Sequence, residues 1–412
     1  MTPRAVVAPV GTIGRETRLL RVLACATVAL APVEGYLTSV HGQLAKLPPA
    51  LLIVAWAAVR LRRRETPRPH PAHAVLGAFA VLVLASAAVH ADGPFTVEYT
   101  ARWLPFVAVA VVLIDVAATE VPVRTLLVAA VAGATAAGAG ALHSLAVAGA
   151  ARATGPLSDP NDLAFVLVTA LPLLVAVLPA EPAPRHVLAV TVAAAVLVAG
   201  AAATFSRGGA LALAAAVGWL VLRRALSPKV LARAAATAAV TAGAALLLAG
   251  PHLARSLREK SFIAGSNVDT RELRWQAAAR MLAENPVLGV GPGGFRAEYA
   301  AASHNAEIAE QTPVAHNMFL EVAAELGLPA FCLFLALIAI AVVASERVLR
   351  SAADHRPMVA VQASLIAVAI GAVFLSEQYY LPLWLLIAVA VAAALRARGE
   401  GRSGDAGAPR DQ

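Results

Sequence analysis

Residues 186–204 read HVLAVTVAAAVLVAGAAAT. After His186 nothing in the run can ionise, and its length falls within the roughly 17–25 residues that cross a bilayer as a helix. The flanks repeat the pattern. Ser206-Arg207-Gly208-Gly209 interrupts it, and a second apolar run follows over 208–222. Comparable runs lie near 19–36, 44–61, 73–91, 102–119, 122–149, 161–180, 230–249, 328–345, 358–376 and 380–396. Together they predict about twelve spans. Composition agrees: of 412 residues 59% are hydrophobic and 14% charged, with a mean hydropathy of +0.74, whereas soluble domains run near a quarter charged. Lipid offers backbone groups no hydrogen-bond partners, so the spans must be helices. The expected fold is all-α, a polytopic membrane protein with one large extracytoplasmic loop.

That loop shows as a polar island, Arg271 to Gly327, in an otherwise apolar chain. The chain then divides into spans 1–9 over residues 1–250, an extracytoplasmic loop with short amphipathic helices over 251–327, spans 10–12 over 328–398, and a cytoplasmic tail over 399–412. The tail is rich in Gly, Arg and Asp and is expected to be disordered.

Charge sets the orientation. The net charge is +8. Arg60, Arg62, Arg63, Arg64 and Arg68 fall in one inter-span loop, Arg223, Arg224 and Lys229 in another, Arg347, Arg350 and Arg356 in a third, and Arg396, Arg398, Arg402 and Arg410 at and beyond the end of the last span. Alternation from a cytoplasmic N-terminus puts all of these inside, as the positive-inside rule requires. Both termini are then cytoplasmic, in a multi-pass protein of the inner (plasma) membrane. Loops near 92–101, 150–160, 205–207 and 250–315 face outward. The basic balance is mostly topology, and no basic cluster sits on a soluble domain to bind nucleic acid.

Other classes lack support. Pro32 directly follows Ala29-Leu30-Ala31, a poor cleavage site for a signal peptide. Cys25 and Cys332 both fall in spans and read as small packing residues. No His/Cys/carboxylate spacing suggests a metal site, and no glycine loop ends in Gly-Lys-Ser/Thr. A secondary transporter or a flippase for lipid-linked glycans fits the span count, but no two-fold repeat of broken helices accompanies it.

Within the island, Asp269 can cap a helix with Glu272 three residues on, and Pro286 after Asn285 stops it. Helical spacing puts Glu272, Gln276, Arg280 and Glu284 on a polar ladder. Arg271, Trp275, Ala278 and Leu282 share the other face, turned towards the protein. Arg271 then either enters a site or snorkels from an interfacial helix. Gly289, Gly291, Gly293 and Gly294 fit a tight turn as well as a phosphate cradle. His316-Asn317 opens another helix, with Asn317, Glu321 and Glu325 stacked at i, i+4 spacing, and Gly327 and Pro329 break it. His316 reads as a proton acceptor or as a structural histidine; His304 reads as a solvated loop residue. Arg207, between two apolar runs, is a site candidate by position or a snorkelling side chain. Asp159 or Asn161 can cap the helix that follows Pro160.

Taken in order, Pro160-Asn161 before Leu163-Ala164, Ser206-Arg207-Gly208, Arg271 four before Trp275, Asn285-Pro286-Val287-Leu288-Gly289-Val290-Gly291, and His316-Asn317 with Glu325-Leu326-Gly327 resemble the O-antigen ligase and O-antigen polymerase family of bacterial membrane glycosyltransferases. The resemblance covers roughly residues 155 to 345. It implies metal-independent transfer of a glycan, with inversion, from an undecaprenyl-diphosphate carrier to a hydroxyl of an acceptor lipid or glycan at the outer face of the cytoplasmic membrane, with no cofactor. It also implies that Arg207 and Arg271 hold the diphosphate and that His316 deprotonates the acceptor. Ser206, Asn161, Arg274, Trp275 and Asn317, beside them in the same motifs, are expected to contact substrate, and Arg274 is a stand-in for Arg271. Asp162, directly after Pro160-Asn161, has no role in that pattern.

Overall fold

The structure is a computed structural model describing residues 14–148, 152–179, 181–227, 229–230, positions 232, 233, 236, 240 and 243, 270–307, 310–352 and 354–405. No strand occurs among them. In chain order the helices are α1 (Arg15–Leu30), α2 (Glu34–Val40), α3 (Leu47–Arg63), α4 (Pro71–Val89), α5 (Thr96–Thr119), α6 (Val123–Ala148), α7 (Pro160–Ala170), α8 (Leu174–Val177), α9 (Pro184–Ala203) and α10 (Arg207–Leu222). The segment 270–284 is helical and is α11. Then come α12 (Gly294–Ala302), α13 (Met318–Ser351), α14 (Arg356–Gly371) and α15 (Leu381–Asp405).

Eight helical stretches among the described residues are long and apolar enough to cross a membrane: α1 continued through α2, then α3, α4, α5, α6, α9, α13 and α15. α10 and α14 are apolar but shorter. The span expected over 161–180 is broken: α7 stops at Ala170 and α8 covers only Leu174–Val177. Pro172 accounts for this, because it has no N–H to donate and its ring crowds the carbonyl four residues back. The run over 230–249 and the Asp269 cap lie outside the described residues, apart from positions 230, 232, 233, 236, 240 and 243. Bulky apolar side chains are exposed on the outer helix faces, among them Val54, Val81, Leu188 and Val342. Helices apolar on both inner and outer faces suit lipid, not water.

Small residues let the helices approach closely. A Cβ on Gly133 would stand 2.2 Å from the Ala29 carbonyl oxygen, so α6 meets α1 backbone to backbone. An aromatic cluster binds α4, α5, α13 and α15: Trp103 lies edge-on to Phe79 at 5.2 Å and to Tyr379 at 5.1 Å, with Phe334 and Trp384 against it.

The two ends of the bundle differ. At one end, basic side chains knit helix termini together. Buried Arg60 meets buried Asp115 at 2.7 Å, Arg63 meets Glu120 at 2.7 Å, Arg396 donates to the Ala117 carbonyl, and Arg223 pairs with Glu346. The polar island caps the opposite end, where it rests on the last turn of α4 and the first of α5. Ser86 donates to the Leu288 carbonyl at 2.7 Å, and Gly293 packs on Phe95 and Tyr99.

A kink in α13 anchors the island. Gly327 (φ 77°) is not helical. The loop before it fills the break: Val290 N–H donates to Ala324 O, Gly291 N–H to Glu325 O, and Leu328 N–H to Pro286 O. Backbone groups freed by the kink are thereby satisfied. A Cβ on Gly327 would lie 2.4 Å from the Val287 carbonyl oxygen, so glycine is required for space as well as for its φ.

Candidate active site

Four segments converge on the Phe374 ring. α10 brings Gly208, where a Cβ would stand 3.2 Å from the ring. α11 brings Arg271, whose guanidinium carbon is 6.0 Å from the ring centroid. The α14–α15 connection carries Phe374 itself. The His316 loop docks beside it through Met318 N–H, which is shared by the Ala372 and Leu375 carbonyls at 2.8 Å each. The first turn of α10, which begins at Arg207, and Arg271 of α11 therefore meet at one aromatic ring, although sixty-odd residues separate Arg207 from Arg271 in sequence.

Each residue has a local cause for its position. Ser206 accepts from Gly209 N–H and caps α10, which starts at Arg207. Asp159 accepts from Asn161 N–H at 2.5 Å and caps α7, with Pro160 in its first turn. Asn317 caps α13, accepting from Phe319 and Leu320 N–H at 3.1 Å. Trp275 donates its indole N–H to the Ala315 carbonyl at 3.1 Å. Between these last two anchors His316 takes a left-handed backbone (φ 49°), a strained conformation for a residue with a side chain, costing on the order of 1–2 kcal/mol.

Sorting the candidates by what their polar atoms already do separates them. Arg274 is buried and bonds both oxygens of Glu307 at 3.0–3.1 Å, Glu310 at 3.0 Å and the Val314 carbonyl. Tyr299 donates to the same Glu307, and burial with that carboxylate pushes its phenol up to about 12. Arg274 is thus committed to an internal brace of the loop. Asn161 accepts from Arg152 at 3.0 Å, and Arg152 also donates to the Thr204 carbonyl at 2.8 Å. Arg152 ties α7 to the turn before Arg207, a link no motif announced. By contrast, the side chains of Arg207, Arg271 and His316 make no hydrogen bond among the described residues. Arg207 is exposed, and Arg271 and His316 are half-buried. Arg280, expected on the solvated face, is only half exposed, and its Nη1 is buried without a partner among the described residues. His304 is exposed, as expected.

Burial and the guanidinium groups of Arg274 and Arg271 hold the His316 imidazole down to about 4, partly opposed by Asp159 and Glu310. At neutral pH it is an uncharged acceptor. Beneath Arg207 an apolar groove of about 450 Å³ runs between α7, α9 and α10, lined by Ala164, Val168, Phe205 and Leu213. It joins a cationic mouth to an apolar channel. No group of three or more His, Cys, Asp or Glu side chains is placed to hold a metal among the described residues.

Fold and site together define an integral membrane protein with a polar, arginine-containing site at one end of its helix bundle. Residues 192–335 match the family described as O-antigen ligase. The match supports the O-antigen ligase/polymerase family, and Arg207, Arg271 and His316 all lie inside the matched segment. No curated protein matches the chain.

Proposed function

We propose that this protein transfers a glycan from an undecaprenyl-diphosphate carrier to an acceptor hydroxyl at the outer face of the cytoplasmic membrane, without a metal and with inversion. One observation supports this reading above others: the side chains of Arg207, Arg271 and a neutral His316 make no hydrogen bond among the described residues, while their neighbours are engaged in holding the loop. Guanidinium forks match phosphate oxygens and stay charged. In the proposed step His316 takes the proton of the acceptor hydroxyl. The hydroxyl oxygen attacks the anomeric carbon as the bond from that carbon to phosphate breaks. The diphosphate leaves with the electron pair, its charge met by Arg207 and Arg271. The groove beneath Arg207 suits the first isoprene units of the carrier. Arg274, Trp275, Ser206, Asn161 and Asn317 act by fixing these groups, not by touching substrate.

The experiment is to incubate the detergent-purified protein with a polyprenyl-diphosphate oligosaccharide and candidate acceptors, and to follow donor and product by mass spectrometry. Glycoside formation with matching release of polyprenyl diphosphate is expected. An intact donor with every acceptor would count against transfer and favour a transporter or flippase.

The base makes a pH prediction. In the free protein His316 is protonated only as pH falls through about 4. The limb of kcat/KM governed by this base should therefore lie near there and not near the ordinary histidine value of about 6.5. Bound diphosphate offsets the guanidinium charges and raises the imidazole, so the limb of kcat should lie at higher pH. A kcat/KM limb near 6.5 would contradict a base buried beside these arginines.

The orientation is tested with single cysteines. In a background lacking Cys25 and Cys332, Asn305→Cys in the island should react with an impermeant thiol reagent in intact cells. Ser351→Cys, at the end of α13 rich in arginine, should react only after permeabilisation. The reverse pattern would turn the site to the cytoplasm.

A further inference from the structure

Glu321 is buried, 3% exposed, one turn into α13. Its carboxylate collects donors from two separate segments. Ala315 N–H donates to Oε2 at 2.9 Å, the Ser376 hydroxyl donates to the same oxygen, and Gln378 Nε2 donates to Oε1 at 2.7 Å. These donors are neutral. Burying a carboxylate among neutral groups is costly compared with an apolar side chain of similar size, so packing gives no reason for it. Its placement does: Ala315 directly precedes His316, whose left-handed backbone must be held from outside. Trp275 holds the Ala315 carbonyl and Asn317 caps the helix beyond. Glu321 alone of these side chains reaches from the His316 loop to the 376–378 segment. Two residues before that segment stands Phe374, on which Gly208 and Arg271 rest.

We infer that Glu321 is a positioning residue that fixes the His316 imidazole relative to the arginines around Phe374, through its bonds to Ala315, Ser376 and Gln378. The inference rests on the reading of His316 as the base. Glu321→Gln keeps the shape but leaves one accepting oxygen where the carboxylate has two, so Ser376 or Gln378 must turn to accept from the new NH₂, and the loop can shift. Displacing a catalytic group by about 1 Å costs on the order of 100-fold in rate.

The test uses full-length protein in detergent with a synthetic polyprenyl-diphosphate oligosaccharide as donor, in the parent and in a His316→Ala background. Glu321→Gln should lower kcat by roughly 10- to 100-fold and leave the donor KM within about twofold. In the His316→Ala background the same change should add less than about twofold, because it acts through the imidazole. An inactive His316→Ala protein beside a fully active Glu321→Gln protein would overturn this inference alone. So would equal losses in both backgrounds. Full activity of His316→Ala would remove the base itself, and this inference with it. Should Glu321→Gln melt well below the parent, Gln378→Leu is used instead, since it removes only the donor to Oε1. A kcat reduced roughly 3- to 10-fold at unchanged donor KM supports the inference, and an unchanged kcat overturns it.

Discussion

Arg271→Ala, at equal amounts of inserted protein, is expected to lower glycan transfer by roughly 100- to 1,000-fold, the usual cost of removing one donor aimed at developing negative charge. Arg207→Ala should do the same. Neither side chain makes a hydrogen bond among the described residues; Arg271 stands over the Phe374 ring, and Arg207 precedes Gly208, which packs on it. Lysine at either position should restore only part of the rate, because a point charge cannot make the paired contacts of a guanidinium. Arg274 provides the contrast. It is tied to Glu307 and Glu310, and its removal strands two carboxylates inside the loop. Arg274→Ala should therefore show itself first as a lower Tm, with a loss on the order of a few kcal/mol. If instead Arg274→Ala kept the parent Tm while transfer vanished, Arg274 would be a ligand of the diphosphate and the division between clamp and brace would be wrong.

His316→Ala carries the second large effect. A positioned general base contributes typically about 100- to 10,000-fold, and the loss should fall on kcat more than on donor binding. Stability should change little or rise slightly, since alanine still bears a side chain at a positive φ but leaves no imidazole to desolvate. His304→Ala should keep most of its activity, because that residue is exposed. The assay is product formed per unit of purified protein. Full turnover by the His316→Ala protein would eliminate it as the base.

Much of this was legible in the sequence, and the parts that were not share a cause. Hydropathy located the long helices, because a bilayer demands a fixed apolar length. Asp159, Asn317 and Gly327 did what their chemistry dictates locally: two caps and a break. Helical spacing turned Arg271 inward correctly. It misplaced Arg280, because a helix lying on a bundle buries part of its flank as well as its inner face. It also missed the break at Pro172, hidden in an apolar run long enough to pass as one span. The platform of Phe374, the bonds of Ser376 and Gln378 to Glu321, and the Arg152 link from α7 to the α10 turn had no sequence signal. Each joins segments far apart in the chain, and periodicity reports which face a residue occupies, not which distant segment will cover it. The i, i+4 stack of Asn317, Glu321 and Glu325 was visible, but spacing does not say what covers it. Both glutamates are in fact buried.

The proposed reaction is a single displacement at an anomeric carbon whose diphosphate is held by Arg207 and Arg271 while His316 takes the proton. Its most direct test is NMR on one reaction of the purified protein with a donor of known anomeric configuration. Phosphorus signals identify the leaving group and proton couplings give the configuration of the new glycosidic bond. One polyprenyl diphosphate released per bond formed and an inverted anomer are expected. Retention of configuration, or a polyprenyl monophosphate leaving group, would contradict it.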